Sequence, residues 1–162
     1  MRAVVDTTVV GVANGQAVPQ ASSTCVRNAT YHLELIQKNG VVVLDDSWRI
    51  LKEYGRRART APNAAGSVFY KWVLNNYANS QHCERYSITP QPDDPNSFIE
   101  FPADPALIGF DPSDRKFIAL AVVSQAPVWN AVDSDYWNHR EALEANGIVI
   151  KWICPDYFYQ TD

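Results

Sequence analysis

The sequence predicts an α/β protein, a three-layer α/β/α sandwich with a mainly parallel central sheet. Three observations carry that prediction. Short apolar runs without polar alternation, Arg2–Val5, Val41–Leu44, Pro127–Val132 and Ile148–Ile153, read as strands covered on both faces. Segments with helical spacing of apolar residues separate most of these runs. Acidic residues stand just past the ends of two of them, where sites form in such sheets. The 162-residue chain fits one domain, 1–162, and no linker or internal repeat divides it.

The elements follow in order. Arg2–Val5 is the first strand and Asp6-Thr7-Thr8 stands at its carboxyl end. Asn14-Gly15 is a turn signal, and Pro19 keeps the next stretch out of a helix. Ser22 or Ser23 caps a helix to about Lys38, with Val26, Ala29, Leu33 and Ile36 on one face and Asn39-Gly40 as a left-handed stop. After the second strand, Asp45 or Asp46 caps a helix over 46–59, with Trp48, Leu51, Tyr54 and Ala58 as its core stripe and Glu53 bordering that stripe. A helix over 64–78 buries Phe69, Trp72, Val73 and Tyr77. Five prolines make 80–110 the most loop-like region, with extended pieces at 85–88 and 98–101. Asp111-Pro-Ser-Asp114 opens an apolar helix to about Gln125, which leads into the third strand run and Asp133. A helix over 136–146 carries Tyr136, Arg140 and Leu143 in one row, Ile148–Ile153 is the last strand, and the aromatic tail after Cys154 packs back.

Composition narrows the function classes. The formal net charge is -4, which counts against simple coating of nucleic acid through phosphate neutralisation. It leaves room for an enzyme whose acidic centre holds cations. No run is long and apolar enough to span a membrane, and the start of the chain does not read as a signal peptide. The three cysteines, Cys25, Cys83 and Cys154, are widely spaced without a CxxC pair. The expectation is reduced thiols in a cytoplasmic protein and no structural zinc. His32, His82 and His139 fit no metal-ligand spacing.

Acids at both ends of the apolar stretch Asp111–Asp135 are costly unless something neutralises them, and a divalent cation would do so. Asp6 follows the first strand and Asp133 the strand after the Asp114 helix, on one sheet edge. Asp114 and Glu53 are then the acids that helices bring beside them. Mg²⁺ and Mn²⁺ take hard oxygen ligands of this kind, and such ions activate water in phosphodiester cleavage.

Val-Val-Asp6-Thr-Thr, the Val41–Tyr54 stretch with Glu53, Asp114-Arg-Lys-Phe-Ile-Ala-Leu-Ala, Val-Asp133-Ser-Asp135-Tyr-Trp and Asn-Gly-Ile-Val-Ile stand in the order of a PIN domain. The resemblance covers most of the chain except about 60–105. It implies a metal-dependent nuclease that hydrolyses single-stranded or structured RNA and leaves a 5′-phosphate. It places the four acids at Asp6, Glu53, Asp114 and Asp133, with Asp135 as a further metal-binding acid. The family commonly carries a hydroxyl residue two positions before the fourth acid, where this chain has Ala131.

Each residue also has a plainer reading. Asp6 is then a turn acid, Glu53 a helix charge paired with Arg56 or Arg57, and Asp114 a cap. Asp111 is the rival for Asp114's place, and Asp135 the cap of the next helix. Thr7 or Thr8 orients Asp6 or satisfies backbone groups. Arg49, Lys52, Arg56, Arg57 and Arg59 form the densest basic stretch, and Arg56 and Arg57, with Thr7, are the candidates for contact with substrate; the alternative is a solvated helix face. The rival functions are a nuclease acting on DNA, a non-catalytic scaffold of the same fold, and a toxin-like subunit neutralised by an inhibitory partner protein. The aromatic helix 69–77 offers a surface for homo-oligomerisation.

Overall fold

The computed structural model describes residues 1–16 and 21–159. Its centre is a five-stranded, all-parallel sheet. The strands are β1 (Arg2–Val5), β2 (Val41–Asp45), β3 (Cys83–Tyr86), β6 (Val128–Asn130) and β7 (Ile150–Trp152), in the order β3-β2-β1-β6-β7. The pair β4 (Pro90–Gln91) and β5 (Asp94–Phe98) forms a separate antiparallel hairpin. Helices flank the sheet in three layers, as the unbroken apolar strands require: Ala3, Val4, Val5, Val42, Val43 and Leu44 are fully buried.

β1 lies between β2 and β6, with Ala3 opposite Val42 and Val5 opposite Trp129. Directly after it comes a helix that the sequence reading leaves out, α1 (Thr7–Ala13). Val9, Val10 and Val12 carry too many β-branched side chains to advertise a helix, but Asp6 caps it by accepting from the Thr8 amide. Helix α2 (Ser23–Asn39) starts at the Ser22 cap and buries Cys25, Ala29, Leu33 and Ile36; Val26 is only half-buried. The expected left-handed stop at Gly40 is absent, since Gly40 is extended (φ -131°, ψ -176°). Its glycine answers a close approach instead: a Cβ there would meet Ile36 Cγ1 at 2.6 Å. The expectation at Pro19 lies outside the described residues.

Helix α3 (Arg49–Ala58) is held by Asp45, whose carboxylate accepts from the amides of Ser47, Arg49 and Ile50 at 3.0–3.1 Å. Its buried face is Ile50, Leu51, Tyr54 and Ala58. Trp48, expected in that stripe, is 44% exposed, because the left-handed backbone at this residue (φ 64°) turns it off the helical row. Helix α4 (Ala65–Asn76) packs on α1, α2 and α3; it buries Phe69 and Val73 and leaves Trp72 and Tyr77 half-buried. The extended piece expected at 85–88 begins two residues earlier and is the edge strand β3, and the one expected at 98–101 lies earlier, as β5.

A 3-10 turn, Pro112–Asp114, leads into α5 (Arg115–Ser124), which packs on β1, β2 and β3 and is buried over most of its length. The single helix expected over 136–146 is broken at His139 into α6 (Ser134–Asn138) and α7 (Arg140–Ala145). The break divides the expected row: Tyr136 and Leu143 are buried, whereas Arg140 is exposed and lies 4.3 Å over the Trp137 ring. In α8 (Pro155–Tyr159) the aromatic tail does pack back, with Phe158 stacked on Trp137.

The cysteine expectation is overturned. Cys25, in the first turn of α2, and Cys154, just past β7, form a disulfide across 129 positions of sequence. Spacing alone did not reveal that the two segments meet. Cys83 is the free, buried thiol, and burial pushes its pKa up to about 11. Among the described residues no helix is long and apolar enough to cross a membrane.

Candidate metal centre

Parallel pairing puts the carboxyl ends of β1 and β6 side by side, so Asp6 and Asp133 emerge on one edge of the sheet. Asp114, at the start of α5, reaches the same place. Each of the three offers a carboxylate oxygen, and these atoms lie within 4.8 Å of one another. Asp6 is 1% exposed, and Asp114 and Asp133 are half-buried.

Hydrogen bonds orient the three. Asp6 Oδ2 accepts from the Thr8 amide at 3.0 Å and from the Thr8 hydroxyl, and Asp6 Oδ1 lies 3.4 Å from the Tyr136 hydroxyl that donates to it. The Thr8 oxygen in turn accepts from the Ala131 amide at 3.3 Å. Ala131 thus meets the acids through its backbone, and Thr8 provides a hydroxyl beside them. Asp133 caps α6 by accepting from the Asp135 amide at 2.9 Å, and its own amide donates to Asn130 Oδ1 at 3.2 Å.

The electrostatics are unfavourable without a counter-charge. Burial, with the charge of Asp133, pushes Asp6 up to about 7. Burial, with Asp6 and Asp133 close by, pushes Asp114 up to about 9, and Asp133 is also raised, chiefly by burial. Asp114 and Asp133 lie within reach of each other, so a proton on Asp114 can bond to Asp133 and relieve part of the repulsion. Among the described residues no lysine or arginine forms an ion pair with any of the three. Three clustered hard oxygen donors of this kind suit Mg²⁺ or Mn²⁺.

The remaining candidates divide. Glu53 is next to this cluster, and its charge helps to raise Asp6, but its carboxylate is engaged: Lys116 Nζ lies 2.5 Å from Oε1, and the Thr7 hydroxyl donates to Oε2 at 2.8 Å. Its partner is therefore Lys116, rather than Arg56 or Arg57. Thr7 serves Glu53 and Thr8 serves Asp6. Asp135 turns the other way, accepting from the Asp111 amide at 2.7 Å and lying 3.3 Å from His139 Nδ1. Asp111 caps the turn before α5 through Ser113.

Arg56 opens with Lys52, Glu53 and Lys116 onto a cleft of about 270 Å³. Arg57 does not share it: its carbonyl accepts from Asn14 and Gln16, at the far end of α1, roughly 10 Å along the helix axis from Asp6.

Sequence reasoning missed Lys116, Tyr136 and Asn130 as parts of this neighbourhood. Lys116 follows Asp114 by two residues, a spacing that carried the signal. Tyr136 read only as one of a row with Arg140 and Leu143. Asn130 is fully buried, and its Nδ2 has no protein partner, so a donor is left available beside Asp133. No family model, curated protein or solved structure matches the chain.

Proposed function

We propose that the protein is a PIN-like, divalent-metal-dependent endoribonuclease, with Mg²⁺ or Mn²⁺ held by Asp6, Asp114 and Asp133. The convergence of these three carboxylates at the carboxyl edge of the parallel sheet carries the proposal. Burial makes their joint ionisation unfavourable, so the cluster favours either protons or a cation. When bound, the ion supplies a Lewis acid and a water of lowered pKa.

The chain's own residues do the rest. Thr8 and Tyr136 fix the Asp6 carboxylate, and Asn130 fixes the start of the turn that carries Asp133. Lys116 neutralises Glu53, so the charge next to the centre is three carboxylates rather than four. Glu53 and Asp135 flank the cluster and are held by other partners, Glu53 by Lys116 and Thr7 and Asp135 by the Asp111 amide and His139. The basic cleft at Lys52 and Arg56 receives the phosphate backbone. Water attack on phosphorus then breaks the P–O3′ bond and leaves a 5′-phosphate and a 3′-hydroxyl.

Incubating the purified chain with labelled RNA and with DNA of the same sequence tests this reading. Cleavage of RNA should require Mn²⁺ or Mg²⁺, stop with EDTA, and fall at least 100-fold in Asp114→Asn and Asp133→Asn variants that remain folded. Cleavage of DNA alone reassigns the substrate. Absence of cleavage together with absence of cation binding by calorimetry leaves a scaffold of this fold.

A further inference from the structure

We infer that the face of α3 turned toward α4 is a binding track for single-stranded nucleic acid, which leads a strand to the carboxylate cluster. This rests on the nuclease reading for its destination but on separate residues for its evidence. Two clefts carry it. The larger, about 570 Å³, lies between α3 and α4 and is lined by Trp48, Lys52, Arg56, Arg59, Tyr70 and Lys71 among others, with no acidic residue on its walls. The smaller is the one that contains Glu53 and Lys116, and the two share Lys52 and Arg56. Glu53 is bonded to Thr7, the neighbour of Asp6, and Lys116 lies two residues past Asp114. The track therefore ends at Glu53 and Lys116, which adjoin the cluster.

The charge on this face runs against the rest of the molecule. The chain is net -4, yet the larger cleft gathers four cations. Lys52, Arg56 and Arg59 are exposed, and among the described residues none of them pairs with an acid; Lys71 reaches only the Pro62 carbonyl, at 3.2 Å. Four unpaired cations in one groove suit a polyanion.

The aromatic part selects the kind of polyanion. Trp48 is held outward by a left-handed backbone, a conformation that costs about 1–2 kcal/mol for a residue with a side chain. Asp45 enforces it by capping the amides on either side of Trp48. Strain maintained to present a large exposed ring is a mark of a working position. Tyr70 lies against Gly55, where a Cβ would stand 3.1 Å from its hydroxyl, so the glycine lets the ring settle on α3. Tyr70 is half-buried there, and Trp48 is the exposed ring beside the cations, the element that stacks on an unpaired base, whose face is free. A duplex keeps its bases stacked on one another, and an acidic peptide has none.

The test is fluorescence anisotropy with the full chain in EDTA, which separates binding from cleavage. The probes are a labelled single-stranded RNA, DNA of the same sequence, and the RNA as a duplex. Four phosphate contacts on a single strand predict a log–log salt slope of about -2.8, and so about a fiftyfold loss of affinity between 50 and 200 mM salt. The Arg59→Glu/Lys71→Glu double variant should halve that slope and bind at least tenfold more weakly. Trp48→Asn, which tolerates the left-handed backbone, should lose about tenfold on the single strands and little on the duplex. Trp48→Tyr should restore most of it.

Equal binding of duplex and single strand, or competition by polyglutamate at equal charge, overturns the inference. So does an unchanged affinity in the double variant. Equal affinity for the two single strands means that the track does not read the 2′-hydroxyl. Asp6→Asn should bind at least as tightly as the parent while failing to cleave. Binding that survives alongside absent cleavage in the parent sinks the nuclease reading and leaves the track. Cleavage that survives with no effect of the α3 and α4 variants sinks the track alone.

Discussion

Replacing Asp6 by Asn should stabilise the protein in the absence of metal while removing its response to metal. The carboxyl of Asp6 is moved by the fold from 3.8 to about 7. A carboxylic acid raised in this way is most stabilising when protonated. Stability is therefore greatest at low pH, falls as pH rises above 3.8, and levels off above about 7. At 1.36 kcal/mol per pH unit, the ionised group at pH 8 costs about 4 kcal/mol relative to the unfolded chain. Asn is neutral throughout, caps a helix as well as Asp does, and keeps an oxygen for the Thr8 amide and hydroxyl.

The expected gain is about 2–4 kcal/mol at pH 8 in EDTA, or on the order of 10 °C in melting temperature for a domain of this size. Circular dichroism melts at pH 8 and pH 4 read it directly. The gain should shrink to under about 1 kcal/mol at pH 4, where the folded parent holds the proton and the unfolded chain holds it about half the time. Adding Mn²⁺ should stabilise the parent by about 2.7 kcal/mol at a hundredfold excess over Kd, seen as a higher melting temperature, and leave the variant unmoved. A variant less stable than the parent at pH 8, or a gain that is the same at both pH values, would refute the account of a charge-strained cluster.

The remaining predictions concern neighbouring features. Cation affinity should rise from pH 6 to pH 8, because the proton held by Asp6 near 7 and that held by Asp114 near 9 must leave; calorimetry in two buffers of different ionisation enthalpy counts the protons released. Lys116→Met strands Glu53 in a half-buried place and should cost about 1–3 kcal/mol in chemical denaturation, whereas adding Glu53→Gln should recover part of that loss. Reducing the Cys25–Cys154 disulfide, which spans 129 positions, should lower stability by up to about 5 kcal/mol on the loop-closure account; melts with and without reductant measure it. Gly66→Ala places a Cβ 2.3 Å from the Val10 carbonyl oxygen and should cost about 1–3 kcal/mol by prising α4 from α1, seen as a lower denaturation midpoint at constant slope.

The sheet was legible because its strands are buried on both faces: Val-Val-Val-Leu at 41–44 admits few other readings. Asp6 and Asp133 were legible together because each follows a buried strand of one parallel sheet, and Asp114 because it opens the apolar helix that leads into the second of those strands. Two kinds of feature stayed hidden. The first is local structure that contradicts propensity. The valines of α1 suggest extended chain, and only the Asp6 cap and burial against α2, α3 and α4 make the segment helical. Trp48 sits at a helical register that its positive φ cancels. The second is pairing across long sequence distances. Nothing near Glu53 in sequence points to Lys116, and nothing near Cys25 points to Cys154; both partnerships exist only once the layers have packed.

The disulfide gives the chain an unusual topology around its acidic centre. Closed at Cys25 and Cys154, the polypeptide becomes a covalent ring containing β2, β3, β6 and β7, with Asp114 and Asp133 inside it. β1 and Asp6 precede the ring, yet β1 is the middle strand of the sheet. The ring by itself has a strand-wide gap between β2 and β6, which the segment before Cys25 fills. A cation bound by Asp6, Asp114 and Asp133 would then clasp that segment to the ring, and the centre exists only where β1 is seated. Metal loading would report that seating.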